Sequence, residues 1–259
     1  MIIAVLNPKG GCGKSTLTTN LARALQKGGK AVMIVDADPQ GTMRDWQSMQ
    51  DDYSDMPPVI GVDTRKLEPE LGRLSMAYDI VIIDGMAKMM KGLGLAVKVA
   101  DVVLVPIQPS GADLWAVAGL AELIHTRQQI FGGLPHAAFV VSRQITGTNL
   151  ALEIEDALKE YKLPVLPHRL SQRVVYAEAL SQGASVLDLD PQGKAAQEIN
   201  GIMKDVLNLY HGTDKYAPKG AYQKNPILHQ LASAETGGPE GREPVKHLHP
   251  AGLASAVQS

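Results

Sequence analysis

The chain has 259 residues, with 25 Lys or Arg against 27 Asp or Glu, giving a formal charge of −2 with neutral histidines. That balance excludes a globally basic nucleic-acid binder, and a single cysteine excludes an internal disulfide and fits a reducing compartment. No apolar run is long enough to span a bilayer, and no charged-then-apolar start marks a secretion signal.

In chain order, Ile2-Ile3-Ala4-Val5-Leu6 reads as a short strand. It enters Asn7-Pro8-Lys9-Gly10-Gly11-Cys12-Gly13-Lys14-Ser15-Thr16, after which a helical pattern runs to about 28. Strand, glycine turn and helix in this order are the setting of a phosphate-binding loop. Its glycines let successive amides point at phosphate oxygens, and the helix start adds partial positive charge. Lys14 falls where an ammonium reaches the β- and γ-phosphates, and Ser15 where a hydroxyl meets Mg²⁺.

Lys30–Val35 predicts a buried strand ending in Asp36-Ala37-Asp38-Pro39-Gln40-Gly41. Carboxylates there face the ligand crevice of an open α/β sheet, although the same residues suit an ordinary capped turn. Helices are expected over 41–50 and 66–77. Tyr78–Gly85 carries Ile80-Val81-Ile82-Ile83, a strand covered on both faces, with Asp84 at its end as a candidate Mg²⁺ ligand. Strands at 102–110 and 137–143, a short strand Leu163–Leu166, and helices at 112–131, 149–162, 172–182 and 192–209 complete the pattern. The alternation predicts an α/β fold over 1–210, a doubly wound, mostly parallel twisted sheet flanked by helices. From 211 to 259 the chain is rich in Gly, Pro and His without periodicity, which predicts a mostly disordered tail.

The segment Lys9–Ser15 resembles the deviant Walker A motif, KGGxGK(S/T), of the ParA/MinD family of P-loop ATPases. The DxDPQG at 36–41 and the strand ending at Asp84 resemble that family's following motifs, and the likeness runs from residue 1 to about 209. It implies a P-loop fold, ATP and Mg²⁺ as cofactors, and slow ATP hydrolysis stimulated by a partner. Lys9 matches the signature lysine, which reaches across a dimer interface to the partner's nucleotide; read alone it is a solvated loop lysine. By the same likeness Lys14 contacts the phosphates, Asp38 aligns the attacking water, and Ser15, Asp36 and Asp84 surround Mg²⁺. Gly10, Gly11, Cys12, Gly13, Ser15 and Thr16 complete the cradle, Arg143 lies near the base, and Asp113 is a candidate for the dimer interface.

The glycine of Gly85-Met86-Ala87 stands where the family often continues with prolines, which resembles its small plasmid-partition branch. With so little ahead of Ile2, no N-terminal DNA-reading domain is expected. Metal-carrying relatives, such as the nitrogenase iron protein, use cysteine pairs, whereas Cys12 stands alone and is expected to pack as a small neutral residue.

The reading that follows is an ATP-bound homodimer that binds DNA non-specifically and positions a cargo through a ParB-like or other adaptor, on the bacterial nucleoid. Candidate phosphate contacts are Arg169, Arg173 and Lys204, extended by Lys215, Lys219 and Lys224. Two other classes compete. A MinD-like membrane-patterning ATPase needs a C-terminal amphipathic helix, which Glu243–Pro250, with its two prolines, supplies poorly. A metabolic P-loop synthetase or kinase leaves Lys9 without a use.

Overall fold

The structure, a computed structural model, describes residues 1–52, 54–85, 90–145 and 150–212. The elements run β1 (Ile2–Val5), α1 (Lys14–Lys27), β2 (Val32–Asp36), α2 (Thr42–Ser48), β3 (Val59–Gly61), α3 (Leu67–Ala77), β4 (Ile80–Asp84) and α4 (Met90–Val99). They continue as β5 (Val102–Ile107), α5 (Gly111–Ile130), β6 (His136–Val141), α6 (Leu150–Leu158), α7 (Val174–Ser181), α8 (Val186–Leu189) and α9 (Lys194–His211). The strands form a six-stranded sheet in the order β3-β2-β4-β1-β5-β6, parallel at every pairing.

Strand side chains alternate between faces, so each apolar run supplies two cores. Ile3, Val5, Ile34, Ile82, Leu104 and Val140 pack against Leu17 and Leu21 of α1, Trp46 of α2, and Ile199 and Ile202 of α9. Their sequence neighbours Ala4, Val35, Ile83, Val105 and Phe139 pack on the other side against Leu71 of α3, Val97 of α4, Leu120 of α5 and Leu158 of α6. Each fully buried Leu, Ile or Phe contributes about 1.5–3 kcal/mol, so burial on both faces holds the sheet between its helices. The helix after β1 therefore lies on one face and the helices after β4 and β5 on the other. Connections parting in this way open a crevice at the carboxyl ends of the strands, the place where ligands bind in open α/β sheets.

Several expected elements shift. Leu163–Leu166 is reduced to an isolated bridge, with the Phe139 amide donating to Pro164 O at 2.8 Å and the Leu166 amide to Phe139 O at 2.9 Å. Pro164 has no N–H with which to extend the ladder. Helix α4, absent from the expected pattern, forms despite Gly92 and Gly94 because Leu93, Ala96 and Val97 are buried against the sheet. The short strand β3 and the single-turn α8, capped by Ser185 accepting the Leu187 amide, are too brief to leave a period in sequence. The tail 211–259, with its candidate lysines, lies beyond the described residues from 213 onward, as do Met86 and Ala87.

Candidate functional site

The strand order gathers residues from three motifs. Val5 at the end of β1 is in register with Asp84, and Asp84 with Asp36. Above them the glycine loop is held from outside by side chains that no motif names. Asn7 is fully buried, donates to Pro106 O at 2.7 Å and accepts the Lys9 amide at 2.8 Å. Gln108 donates to Gly11 O at 2.7 Å, and the Ser142 hydroxyl to Cys12 O at 2.5 Å. These contacts fix one loop amide from the end of β1 and two loop carbonyls from the ends of β5 and β6.

At Gly13 the loop enters the left-handed region, with φ at 93°, and a Cβ there would also meet Ser142 at 3.4 Å. Glycine is therefore required. Among the described residues the amides of Gly13, Lys14, Ser15 and Thr16 donate to no backbone carbonyl. Orphan donors at a helix start form an anion cradle. Lys14 is buried, and its ammonium donates to Lys9 O at 2.9 Å and lies 3.9 Å from the Cys12 sulfur; no carboxylate pairs with it among the described residues. Cys12 is buried, and burial pushes its thiol up, in keeping with a neutral packing role.

Behind the cradle sits Asp84. The Ser15 hydroxyl donates to one of its oxygens at 2.9 Å and the Thr18 hydroxyl to the other at 2.9 Å. Burial pushes the Asp84 carboxyl up to about 6, against the pull of the Thr18 and Ser15 hydroxyls and with a further push from Asp36. Asp36 is also buried. Its carboxylate accepts the Asp38 amide at 3.1 Å on one oxygen, and the Arg44 amide and Nε at 3.2 and 3.3 Å on the other. Asp38 stands forward of it, half-buried, with its own carboxylate accepting the Gln40 amide at 2.9 Å. A hydroxyl and two carboxylates are hard oxygen donors, and Mg²⁺ is commonly bound by one or two carboxylates with the rest of its shell from phosphates and water. The residues present fit Mg²⁺ and a nucleotide triphosphate.

Lys9 goes elsewhere. Its ammonium pairs with Asp113 at the start of α5, on the same oxygen that accepts the Ser110 hydroxyl. Asp113 is fully buried and its second oxygen has no hydrogen-bond partner among the described residues, whereas the Lys9 side chain is 37% exposed. Arg143 is exposed just past β6 and holds a left-handed backbone, φ 50°, beside the Ser142 that grips the loop.

The candidate DNA contacts are not brought to this site, and two of them are already paired. Arg169 forms an ion pair with Glu155. Arg173 donates to Glu198 through Nε at 3.0 Å and Nη2 at 2.7 Å, and Glu198 also accepts from Ser171 and Tyr176. Lys204 is exposed on α9. Sequence reasoning missed Asn7, Thr18, Arg44, Gln108, Ser110 and Ser142. Thr18 was legible, one turn beyond Ser15 on the same helix face, and Ser110 as the cap three residues before Asp113, while the contacts of Asn7, Gln108 and Ser142 depend on strand order.

The family model for the CobQ/CobB/MinD/ParA nucleotide binding domain matches residues 3–186. The chain is 31% identical over 208 residues to the maintenance of carboxysome distribution protein A of Halothiobacillus neapolitanus, covering 79% of this chain and 95% of that one. It is 26% identical over 254 residues to the sporulation initiation inhibitor protein Soj of Bacillus subtilis, covering 79% and 97%. The solved septum site-determining protein MinD of Pyrococcus horikoshii, complexed with Mg-ADP, superposes with a TM-score of 0.64 at 21% identity over 79% of this chain and 95% of that one.

Proposed function

The chain belongs to the CobQ/CobB/MinD/ParA nucleotide-binding domain family and is an ATPase of it, and from that premise we propose a cargo-positioning cycle driven by ATP-dependent pairing of two copies. The reading rests above all on the two lysines of one loop serving different places: Lys14 turns into the cradle, while Lys9 is held aside by Asp113.

In the proposed cycle the Gly10–Thr16 amides and Lys14 hold the phosphates, and Ser15, Asp84 and, in the outer shell, Asp36 hold Mg²⁺. Bound Mg²⁺ neutralises charge that develops on the transferred phosphoryl group. Thr18 keeps the Asp84 carboxylate turned toward Ser15. Lys9 leaves Asp113 and closes onto the partner copy's phosphates, so that each pocket is completed in trans by an isologous contact. Asp38 aligns water for in-line attack, and Arg143 lies along the base. Residues 1–210 carry this cycle, and 211–259 form an appended tail.

Pairing doubles every cationic contact, so a weak monomer surface at Arg169, Arg173 and Lys204 becomes a non-specific DNA binder only in the ATP state. A cargo adaptor, ParB-like in action, stimulates hydrolysis and splits the pair, and the paired form resides on the nucleoid. The likeness to a carboxysome-distribution protein supports a macromolecular cargo over a small-molecule acceptor.

Sedimentation velocity with Mg-ATP, Mg-ADP and no nucleotide tests the first half, and gel shifts on unrelated duplexes test the second. A dimer and a shifted duplex are expected with Mg-ATP alone. A monomer under all conditions, or equal DNA binding in all three, would overturn the cycle.

A further inference from the structure

Arg44 has no place in any motif, yet it is the residue around which the Asp36–Gly41 loop is folded. It stands in the first turn of α2, its side chain 52% exposed, while the Asp36 carboxylate beneath it has no exposure. Both its backbone amide and its Nε donate to one Asp36 oxygen. The other Asp36 oxygen accepts the Asp38 amide. One buried carboxylate thus ties the two ends of the segment that carries Asp38.

Two glycines make room for this arrangement. Gly41, at φ 73°, would place a Cβ 2.7 Å from Arg44 Nη2, and Gly61 would place one 3.0 Å from Arg44 Cδ. Gly61 lies on β3 directly in register with Asp36, so the neighbouring strand also leaves space for the arginine stem. Ion pairing, backbone contact and space on both sides converge on a single arginine.

From this geometry we propose that Arg44 is a positioning residue for hydrolysis, a clamp that holds the Asp36–Gly41 loop so that Asp38 stays aligned with the attacking water. The proposal rests on the ATPase reading given above and adds to it a residue outside the nucleotide-binding motifs. Arg44 acts through Asp36 on the placement of Asp38, so its removal is expected to slow the chemical step more than it weakens nucleotide binding. Misalignment of a reacting group by about 1 Å costs up to roughly 100-fold in rate.

The test uses the full chain with Arg44→Met, which keeps the stem and removes the charge, and Gly61→Ala, which keeps every charge and crowds the stem. For Arg44→Met, kcat for ATP is expected to fall roughly 10- to 100-fold with a smaller loss of affinity for a fluorescent ATP analogue, and Gly61→Ala, whose Cβ would meet the stem at 3.0 Å, is expected to lower kcat in the same sense by less. Amide hydrogen exchange across 36–44 in the nucleotide-free protein is expected to quicken in both variants, a readout independent of turnover. In an Asp38→Ala background Arg44→Met is expected to add nothing, because the residue it serves is gone. Unchanged kcat in both variants, a loss confined to nucleotide affinity, or full additivity with Asp38→Ala would overturn the clamp. Should Arg44→Met fail to fold, Gly61→Ala decides the matter alone. If Asp38→Ala itself hydrolyses ATP normally, the catalytic assignment of Asp38 fails, whereas wild-type rates in Arg44→Met and Gly61→Ala beside an inactive Asp38→Ala defeat the clamp alone.

Discussion

The glycine loop and the segment leading into α7 both carry conspicuous cations, and the structure treats them in opposite ways. At the loop Lys14 is buried among a carbonyl, a sulfur and orphan amides, with no carboxylate pairing among the described residues, so its charge is available to an anion. Before α7, Arg169 and Arg173 are matched by Glu155 and Glu198. A basic residue in a sequence is thus no measure of the field it presents; what its neighbours neutralise decides that. Lys9 stands between the two cases, paired in the monomer but with a buried partner that stays behind if it moves. Leaving the buried Asp113 without its lysine is costly, so nucleotide and a second copy must together supply what that pair loses.

The largest effect should come from Lys9. Lys9→Ala is expected to leave ATP affinity nearly intact while lowering adapter-stimulated or concentration-dependent hydrolysis by roughly 1,000-fold, the scale of a cation supplied in trans. Normal dimer-dependent turnover in that variant would erase the distinction between the two lysines. Lys14→Ala should weaken nucleotide binding by about 100-fold, the loss of a charge-assisted hydrogen bond in a closed site, as read by equilibrium dialysis.

The Asp84 carboxyl, raised to about 6 by burial, gives a pH signature at the same end of the molecule. Its folded-state value lies above the ordinary one, so the folded protein binds the extra proton. Lowering the pH from 7 toward 5 should therefore raise the thermal stability contributed by this group in the nucleotide-free protein. Over the same window Mg²⁺-dependent nucleotide binding should weaken, by roughly tenfold at pH 5, because only the carboxylate can hold the cation. Isothermal titration with Mg²⁺ at fixed nucleotide checks this, and a flat profile would remove Asp84 from the cation site. The smallest effect belongs to the second region: Glu198→Gln releases Arg173 and should raise non-specific DNA affinity a few-fold, steepening the salt dependence by about one phosphate contact. No change in the salt slope would remove Arg173 from the DNA surface.

The sequence reached the parallel sheet because its strands are apolar runs buried on both faces, and it reached the phosphate loop because glycine spacing is a local property. The positions of Asp36 and Asp84 were legible as strand ends, but their adjacency was not, since β4 lies between β1 and β2 only after the strand order is known. For the same reason Gln108 and Ser142 passed unnoticed, each a polar residue at a strand end far along the chain from the loop it grips. The apolar segment 163–166 makes a bridge and not a strand because Pro164 lacks the amide that a ladder needs, a backbone property that side-chain hydropathy does not carry. Lys9 and Asp113 are each legible in the sequence, but their pairing, across 104 residues, is a property of the fold alone.

Mixing two inactive variants tests the central claim most directly. Lys9→Ala keeps Asp38 but lacks the lysine, and Asp38→Ala keeps the lysine but lacks the water-aligning carboxylate. If Lys9 completes the partner's pocket, a mixed dimer holds one intact site, and an equal mixture should recover roughly a quarter of wild-type hydrolysis under random pairing. If the mixture stays as inactive as its components while sedimenting as a dimer, Lys9 serves its own nucleotide and the paired cycle is wrong.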